Sequence, residues 1–362
     1  MHLSADRDYT ISPGIQVIDL SGPGPVAGSV CAIDLARNEL RVFVFNDLIH
    51  ASFHPDHGCF TQPAVNLGAT VRGFVLGHRY ECQGLRAYPH WRPPYRDLHG
   101  KCLVASNTLQ TNFVRSNGFV IVDGQVVAKP LHAPGRDDPD YATLGVAGRY
   151  TCLLVEGTEA RVVSLRVLDP EGRTTDPRLA PGSCGIASPR LLSEGRFVGL
   201  ARHPAPYRDR KGRLNGDWVD WDPDATATSF TAFGVDRAGT RLLMASVFEG
   251  EWDVDTATNE GIRAREMAEL LAEYGAHDAI LGGGAADTQQ FVHGRSPRFR
   301  TGPVRAKPQS MSRGEVQGVR GLGAIAGILP RARTRQVPGT SGKYPKPEPA
   351  WAFSDSQASS IL

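Results

Sequence analysis

The C-terminal third of the chain reads GVDRAGTRLLMASVFEGE (Gly234–Glu251), IRAREMAELLAEYGA (Ile262–Ala276), DAIL (Asp278–Leu281) and GGGAADTQQF (Gly282–Phe291). The first segment has the pattern of a β-hairpin. In the second, Met267, Leu270, Leu271 and Tyr274 recur at i, i+3, i+4 and i+7. That spacing predicts a helix over 262–274 with one apolar face. Asn259 near its start and Gly275 just past its end suit the two caps. DAIL is a short buried strand. The glycine run after it has two readings: a backbone that approaches a ligand and offers an anion nest, or a tight turn with positive φ.

Around this unit the sequence is rich in strands and turns. The chain has 362 residues, 41% hydrophobic and 22% charged, ordinary for a globular protein and enough for a large core. Gly (40) and Pro (26) are spread throughout, which favours many short elements joined by turns. Strands are expected at 15–20, 28–34, 40–45, 71–76 and 102–105. Asp123-Gly124 marks a hairpin between 118–122 and 125–128, and 149–155 pairs with 161–168. Two irregular stretches, 131–141 and 169–224, are read as loops. The strand count and the one strong helix predict an α+β fold: a mixed β-sheet with a few packed helices. These form one domain over 1–334 with long loop insertions (169–224 the longest), followed by a mobile tail over 335–362.

Composition narrows the partners. A formal net charge of +2 gives no nucleic-acid footprint. The polar N-terminus lacks a signal-peptide core, and no apolar run approaches a membrane span, so the expected compartment is cytoplasmic. The six cysteines are widely spaced without a CxxC pair and are expected to be reduced, several of them as small core residues in apolar strands, with a disulfide framework only in an exported protein. The chain lacks the Gly-x-Ser-x-Gly, HExxH and P-loop motifs of common hydrolases, metalloproteases and NTPases. VRGLGAIAG (Val319–Gly327) lacks the glycine spacing of a dinucleotide fingerprint and reads as a last strand.

Two clusters carry possible chemistry beside the glycine run. His50, His54, His57 and Cys59 in HASFHPDHGC are of types that ligate Zn²⁺, but lack a second distant pair. A polar loop is the favoured reading, and a Zn-dependent hydrolase using His54, His57 and Cys59 the alternative. NGDWVDWDPD (Asn215–Asp224) alternates Trp with Asp, which suits sugar contact or a polar loop pinned by indoles.

The order of motifs from FTAFGVD (Phe230–Asp236) through VFEGE (Val247–Glu251), the helix and ILGGGAADTQQF (Ile280–Phe291) resembles the phosphodiester glycosidase family. VASNTLQTNF (Val104–Phe113) and NGFVIVDGQVV (Asn117–Val127) stand where the family has its Asn-Gly segment. The chain departs from the family pattern at several points. Phe230 replaces the Arg of the family's first strand, Asn107-Thr108 replaces Asn-Gly, and the acid heading the glycine run is missing. Glu249 keeps a carboxylate in register, and Asp287 is the nearest acid downstream of the head of the glycine run.

The resemblance implies a hydrolase that cleaves a sugar C1–O bond to a phosphodiester, or acts on a related sugar-phosphate or nucleotide substrate. It implies no cofactor, and small-molecule sugar-phosphates or glycans as partners. On this reading Asp287 or Glu249 supplies the catalytic carboxylate. Gly283, Gly284 and Arg115 hold phosphate, Asn107 and Gln289 bind sugar hydroxyls, and Thr288 lines the site. A non-catalytic carbohydrate- or nucleotide-binding relative on the same scaffold is the other reading.

Overall fold

The computed structural model describes residues 3–24, 26–44, 53–54, 59–60, 68–69, 82–83, 101–108, 120–127, 149–166, 177–198, 227–249, 261–284, 288–294, 298–301 and 324–331. In chain order its strands are β1 (Ser4–Ser12), β2 (Ile15–Ser21), β3 (Ala27–Asp34), β4 (Asn38–Val44), β5 (Phe53–His54), β6 (Cys59–Phe60), β7 (Gly68–Ala69) and β8 (Cys82–Gln83). Next come β9 (Val104–Asn107), β10 (Val120–Val122), β11 (Gln125–Val127), β12 (Arg149–Glu156), β13 (Glu159–Arg166), β14 (Cys184–Ala187), β15 (Arg190–Ser193) and β16 (Arg196–Phe197). The last six are β17 (Phe230–Val235), β18 (Arg241–Phe248), β19 (Asp278–Gly284), β20 (Gln289–Val292), β21 (Arg298–Thr301) and β22 (Ala324–Pro330). One helix, α1 (Ala264–Glu273), lies between β18 and β19.

Period-2 alternation sorts the central strands' side chains onto two faces, so an entire strand is apolar only if both faces are covered. An eight-stranded sheet, ordered β1-β2-β3-β18-β17-β19-β15-β16, meets this condition at its centre. Val30, Ala32, Ala232, Leu243, Ala245 and Leu281 face one way, with Met267, Leu270 and Leu271 of α1. Cys31, Ile33, Phe233, Val235, Leu242, Met244 and Ile280 face the other. There they meet Val42, Val104, Val292 and Ile328 from a five-stranded sheet ordered β21-β20-β9-β22-β4, and Leu153, Cys184 and Ile186 from a second ordered β11-β10-β14-β12-β13. One core is thus shared by three sheets.

Every strand pairing in these three sheets is antiparallel. The expected α+β fold with a mixed sheet and several packed helices is therefore corrected to a layered, almost all-β fold. Among the described residues α1 alone is helical. The physical reason lies in the core: sheet-on-sheet packing fills the face opposite α1, which in an α+β fold would need more helices.

Helix α1 is shorter than the 262–274 expected. Arg263 is its N-cap, with the Arg263 N–H donating to Glu266 Oε2 at 2.9 Å. The expected N-terminal cap residue, Asn259, lies outside the described residues. At the other end Gly275 has φ +94°, its N–H bonds to Ala272 O and the Ala276 N–H to Leu271 O, both at 2.9 Å. That is the paired closure of a Schellman motif, and glycine adopts its left-handed position without a Cβ clash.

The hairpins at β10–β11, β12–β13 and β17–β18 form as expected. Two differences stand out. β1 is a strand although its residues are polar and mostly exposed, because it is an edge strand needing only one ladder, to β2. The stretch 169–224, read as irregular, contains β14, β15 and β16. The expected strand at 71–76 and the Trp/Asp loop at 215–224 lie outside the described residues.

Candidate functional site

The apolar inner face of the eight-stranded sheet turns polar at one end. Following the inward positions, β17 runs Val235, Phe233, Thr231, and β18 runs Leu242, Met244, Ser246. β3 runs Ile33, Cys31, Ser29, and β2 runs Ile15, Val17, Asp19. The registers Thr231↔Ser246, Ser246↔Ser29 and Ser29↔Asp19 line these polar residues up as one cross-strand row. The facing sheet does the same, with Ala326↔Ser106, Ser106↔Gln290 and Gln290↔Arg300.

Hydrogen bonds join the two rows. Ser29 Oγ donates to Gln290 Oε1, and Arg298 Nη2 pairs with Asp19 Oδ1. Thr231 Oγ1 donates to Asn107 Oδ1 at 2.6 Å and lies 3.1 Å from Ser246 Oγ. The Gln289 N–H donates to the same Asn107 oxygen at 3.1 Å. Asn107, Thr231, Ser246 and Gln289 are wholly buried. A polar layer at this depth is tolerated only where its groups find partners. Among the described residues two atoms of this layer do not: Asn107 Nδ2 and Ser106 Oγ are buried with no hydrogen-bond partner.

Three residues beyond Ser246, Glu249 closes the same end. It is 4% exposed, and its Oε1 accepts from Thr228 Oγ1 at 2.8 Å and from the Ser229 N–H at 3.2 Å. The Glu249 N–H in turn donates to Ser229 Oγ at 3.0 Å. A buried carboxylate needs such donors, and they fix its position.

The glycine run lies in strand, not in a turn. β19 runs through Gly284, which pairs with Phe230 of β17, with an irregularity in the ladder between Phe230 and Ala232. None of Gly282, Gly283 and Gly284 has a positive φ. Close approach explains two of these glycines. A Cβ on Gly282 would sit 2.9 Å from Thr231 O, and one on Gly284 2.9 Å from the Phe230 ring. Past them, Thr288 Oγ1 lies 3.5 Å from Gly283 O, at the limit of a hydrogen bond.

Of the residues singled out from sequence, Asn107, Glu249, Gly283, Gly284, Thr288 and Gln289 sit at this one end. Asp287 and Arg115 lie outside the described residues. So does His57 of the metal candidates, while His54 and Cys59 are described only as a backbone pair between β5 and β6. Among the described residues no three His, Cys, Asp or Glu side chains group as metal ligands. No described helix is long and apolar enough to cross a membrane. Sequence reading missed Thr231, Ser246, Ser29 and Arg300; it named Gln290 only as one of the polar residues following the glycine run. The available signal was a small polar residue at an inward period-2 position of an otherwise apolar strand, as with Ser246 in LLMASVF.

No protein-family model matches the chain, and no curated protein matches it. Solved structures similar to it include the zebrafish N-acetylglucosamine-1-phosphodiester alpha-N-acetylglucosaminidase catalytic domain, auto-inhibited by its pro-peptide. That match is 15% identical, covers 91% of this chain and 88% of that one, and has a TM-score of 0.44. A hypothetical protein from Synechocystis is 13% identical over 88% of this chain and 63% of its own, with a TM-score of 0.40. A protein from Burkholderia pseudomallei K96243 described as exported is 14% identical over 85% and 74%, with a TM-score of 0.44. Likeness at this level assigns no residue a role.

Proposed function

We propose that the chain is a glycosidase-type hydrolase cleaving a sugar C1–O bond to a phosphodiester or a related sugar-phosphate. The observation that carries this reading is the convergence of Glu249, Asn107 and Gln289 at one end of the sheets. There Glu249 is buried and held by Thr228 and Ser229, and a wholly buried amide, Asn107 Nδ2, has no partner among the described residues. The reaction needs one carboxylate to activate water or stabilise an oxocarbenium-like centre, and donors for sugar hydroxyls. Phosphate leaves readily, so the demand for a strong general acid is small. Glu249 is given the carboxylate role, Asn107 and Gln289 the sugar, and Asp287 is the second carboxylate to test.

The test is hydrolysis of sugar-1-phosphodiesters and nucleotide sugars by the wild type, Glu249→Gln and Asp287→Asn. Loss of a catalytic carboxylate lowers kcat by roughly 10²- to 10⁴-fold. Equal rates in all three proteins sink the assignment. A wild type that binds such ligands without turnover establishes the carbohydrate- or nucleotide-binding reading instead. Elemental analysis of the purified protein tests the Zn²⁺ alternative, which requires about one bound metal per chain.

A further inference from the structure

Arg300 ends the polar row of the smaller sheet, directly across from Gln290 on the neighbouring strand. Its side chain is partly buried, and Nη1 donates to Gly28 O at 2.9 Å. Arg298, two residues earlier on the same strand face, takes the nearby carboxylate of Asp19 and also donates to Tyr9 Oη at 3.1 Å. Arg300 itself forms no ion pair among the described residues. Burial, and then the charge of Arg298, push its guanidinium below the usual range, and Asp19, Tyr9 and Asp6 do not offset them. Two guanidinium groups thus share the neighbourhood of one buried carboxylate, at the end of the sheets where Asn107, Gln289 and Glu249 gather.

A half-buried cation with no ion-pair partner among the described residues gains from meeting an anion. Arginine's planar fork matches the oxygens of a phosphoryl group and binds them through two parallel N–H···O bonds. Hydrogen-bonding capacity remains unused along the same row: Ser106, next to Gln290 in register, is wholly buried and its hydroxyl has no partner among the described residues. We propose that Arg300 is the anion-recognising residue of this end of the molecule and takes the phosphoryl group of a phosphorylated ligand. Identifying that group with the leaving group of the hydrolysis above rests on the proposed function. Binding of the anion does not.

The test titrates inorganic phosphate into the full-length protein by calorimetry at constant ionic strength, with acetate as a planar carboxylate for comparison. The wild type is expected to bind phosphate saturably and in preference to acetate. Arg300→Ala is expected to weaken phosphate binding at least about tenfold, the effect of removing charge-assisted hydrogen bonds. Arg300→Lys, which keeps the charge without the fork, is expected to fall between. Arg161→Ala, which removes a surface ion pair with Glu156, leaves binding unchanged. Thermal midpoints identify a variant that fails to fold, in which case Arg300→Lys carries the comparison.

Wild-type protein that does not bind phosphate, binds acetate as well, or binds phosphate equally after either Arg300 substitution overturns the proposal. The two readings fail separately. Phosphate binding lost in Arg300→Ala with no hydrolysis in the wild type refutes the hydrolase alone. Unchanged kcat/KM for a phosphodiester in a folded Arg300→Ala refutes the Arg300 assignment alone.

Discussion

Thr231 ties its own polar row to Asn107 of the facing sheet at a single atom. Its Oγ1 donates to Asn107 Oδ1 at 2.6 Å and is 3.1 Å from Ser246 Oγ. Thr231→Val keeps the shape and removes both contacts. The Ser246 hydroxyl loses this contact, and Asn107 Oδ1 keeps only the Gln289 N–H. Stranding buried polar groups costs ~1–3 kcal/mol each. Urea unfolding of Thr231→Val is therefore expected to show a loss of about 1–3 kcal/mol. A midpoint equal to the wild type's would mean that the layer is held otherwise. At this scale the sequence was partly legible. Asn107, Glu249 and Gln289 were singled out as candidates through motif resemblance. Thr231 and Ser246 were not, because a lone hydroxyl on an apolar strand looks the same locally whether it faces solvent or a buried amide.

Helix α1 covers one face of the central strand β17, and strand β19 pairs along its edge. The Schellman closure at Gly275 stops the helix so that Ala276 lands on Gly234, where a Cβ would lie 2.9 Å from Ala276 Cβ. Gly275→Ala forces a side chain into φ +94°, although no atom lies within 4 Å of the new Cβ. The cost is backbone strain alone, about 1 kcal/mol. The expected result is a thermal midpoint a few degrees lower with unchanged ligand binding; a midpoint at or above the wild type's would contradict the strained cap. The helix was legible because its period and its terminal glycine are local signals. The strand character of Gly282–Gly284 was not, since it depends on how closely β17 passes.

Across the whole molecule, the shared core encloses thiols that composition had already marked as reduced. Cys31, Cys102, Cys152 and Cys184 are free and buried. Burial pushes the Cys31, Cys102 and Cys184 thiols up to about 12 from an ordinary 9.0, and raises Cys152 as well. Unfolded thiols ionise near 9 while the folded ones stay protonated, so between these values the unfolded chain holds fewer protons. Stability is then full below pH 9 and falls as pH rises toward 12, by ~1.4 kcal/mol per pH unit for each thiol. Urea midpoints at pH 7.5 and pH 10 are expected to differ in that direction, and less so in Cys31→Ala. A midpoint unchanged at pH 10 would show that the thiols ionise freely in the folded state.

The sequence by itself determined the elements whose signals are local. These are the alternating strands of the centre, the hairpins at Asp123-Gly124 and Asp236–Gly239, and one amphipathic helix with its closing glycine. The family resemblance added Asn107, Glu249 and Gln289 as candidates only. Only the tertiary structure decided that three antiparallel sheets share one core, that polar β1 is an edge strand, and that Arg300 faces the site end. Such facts rest on partners far apart in sequence. Asn107 and Thr231 are 124 residues apart, and Ser29 and Gln290 are 261 apart. No local period encodes such distances, because they are fixed by strand register and sheet stacking once the core has formed.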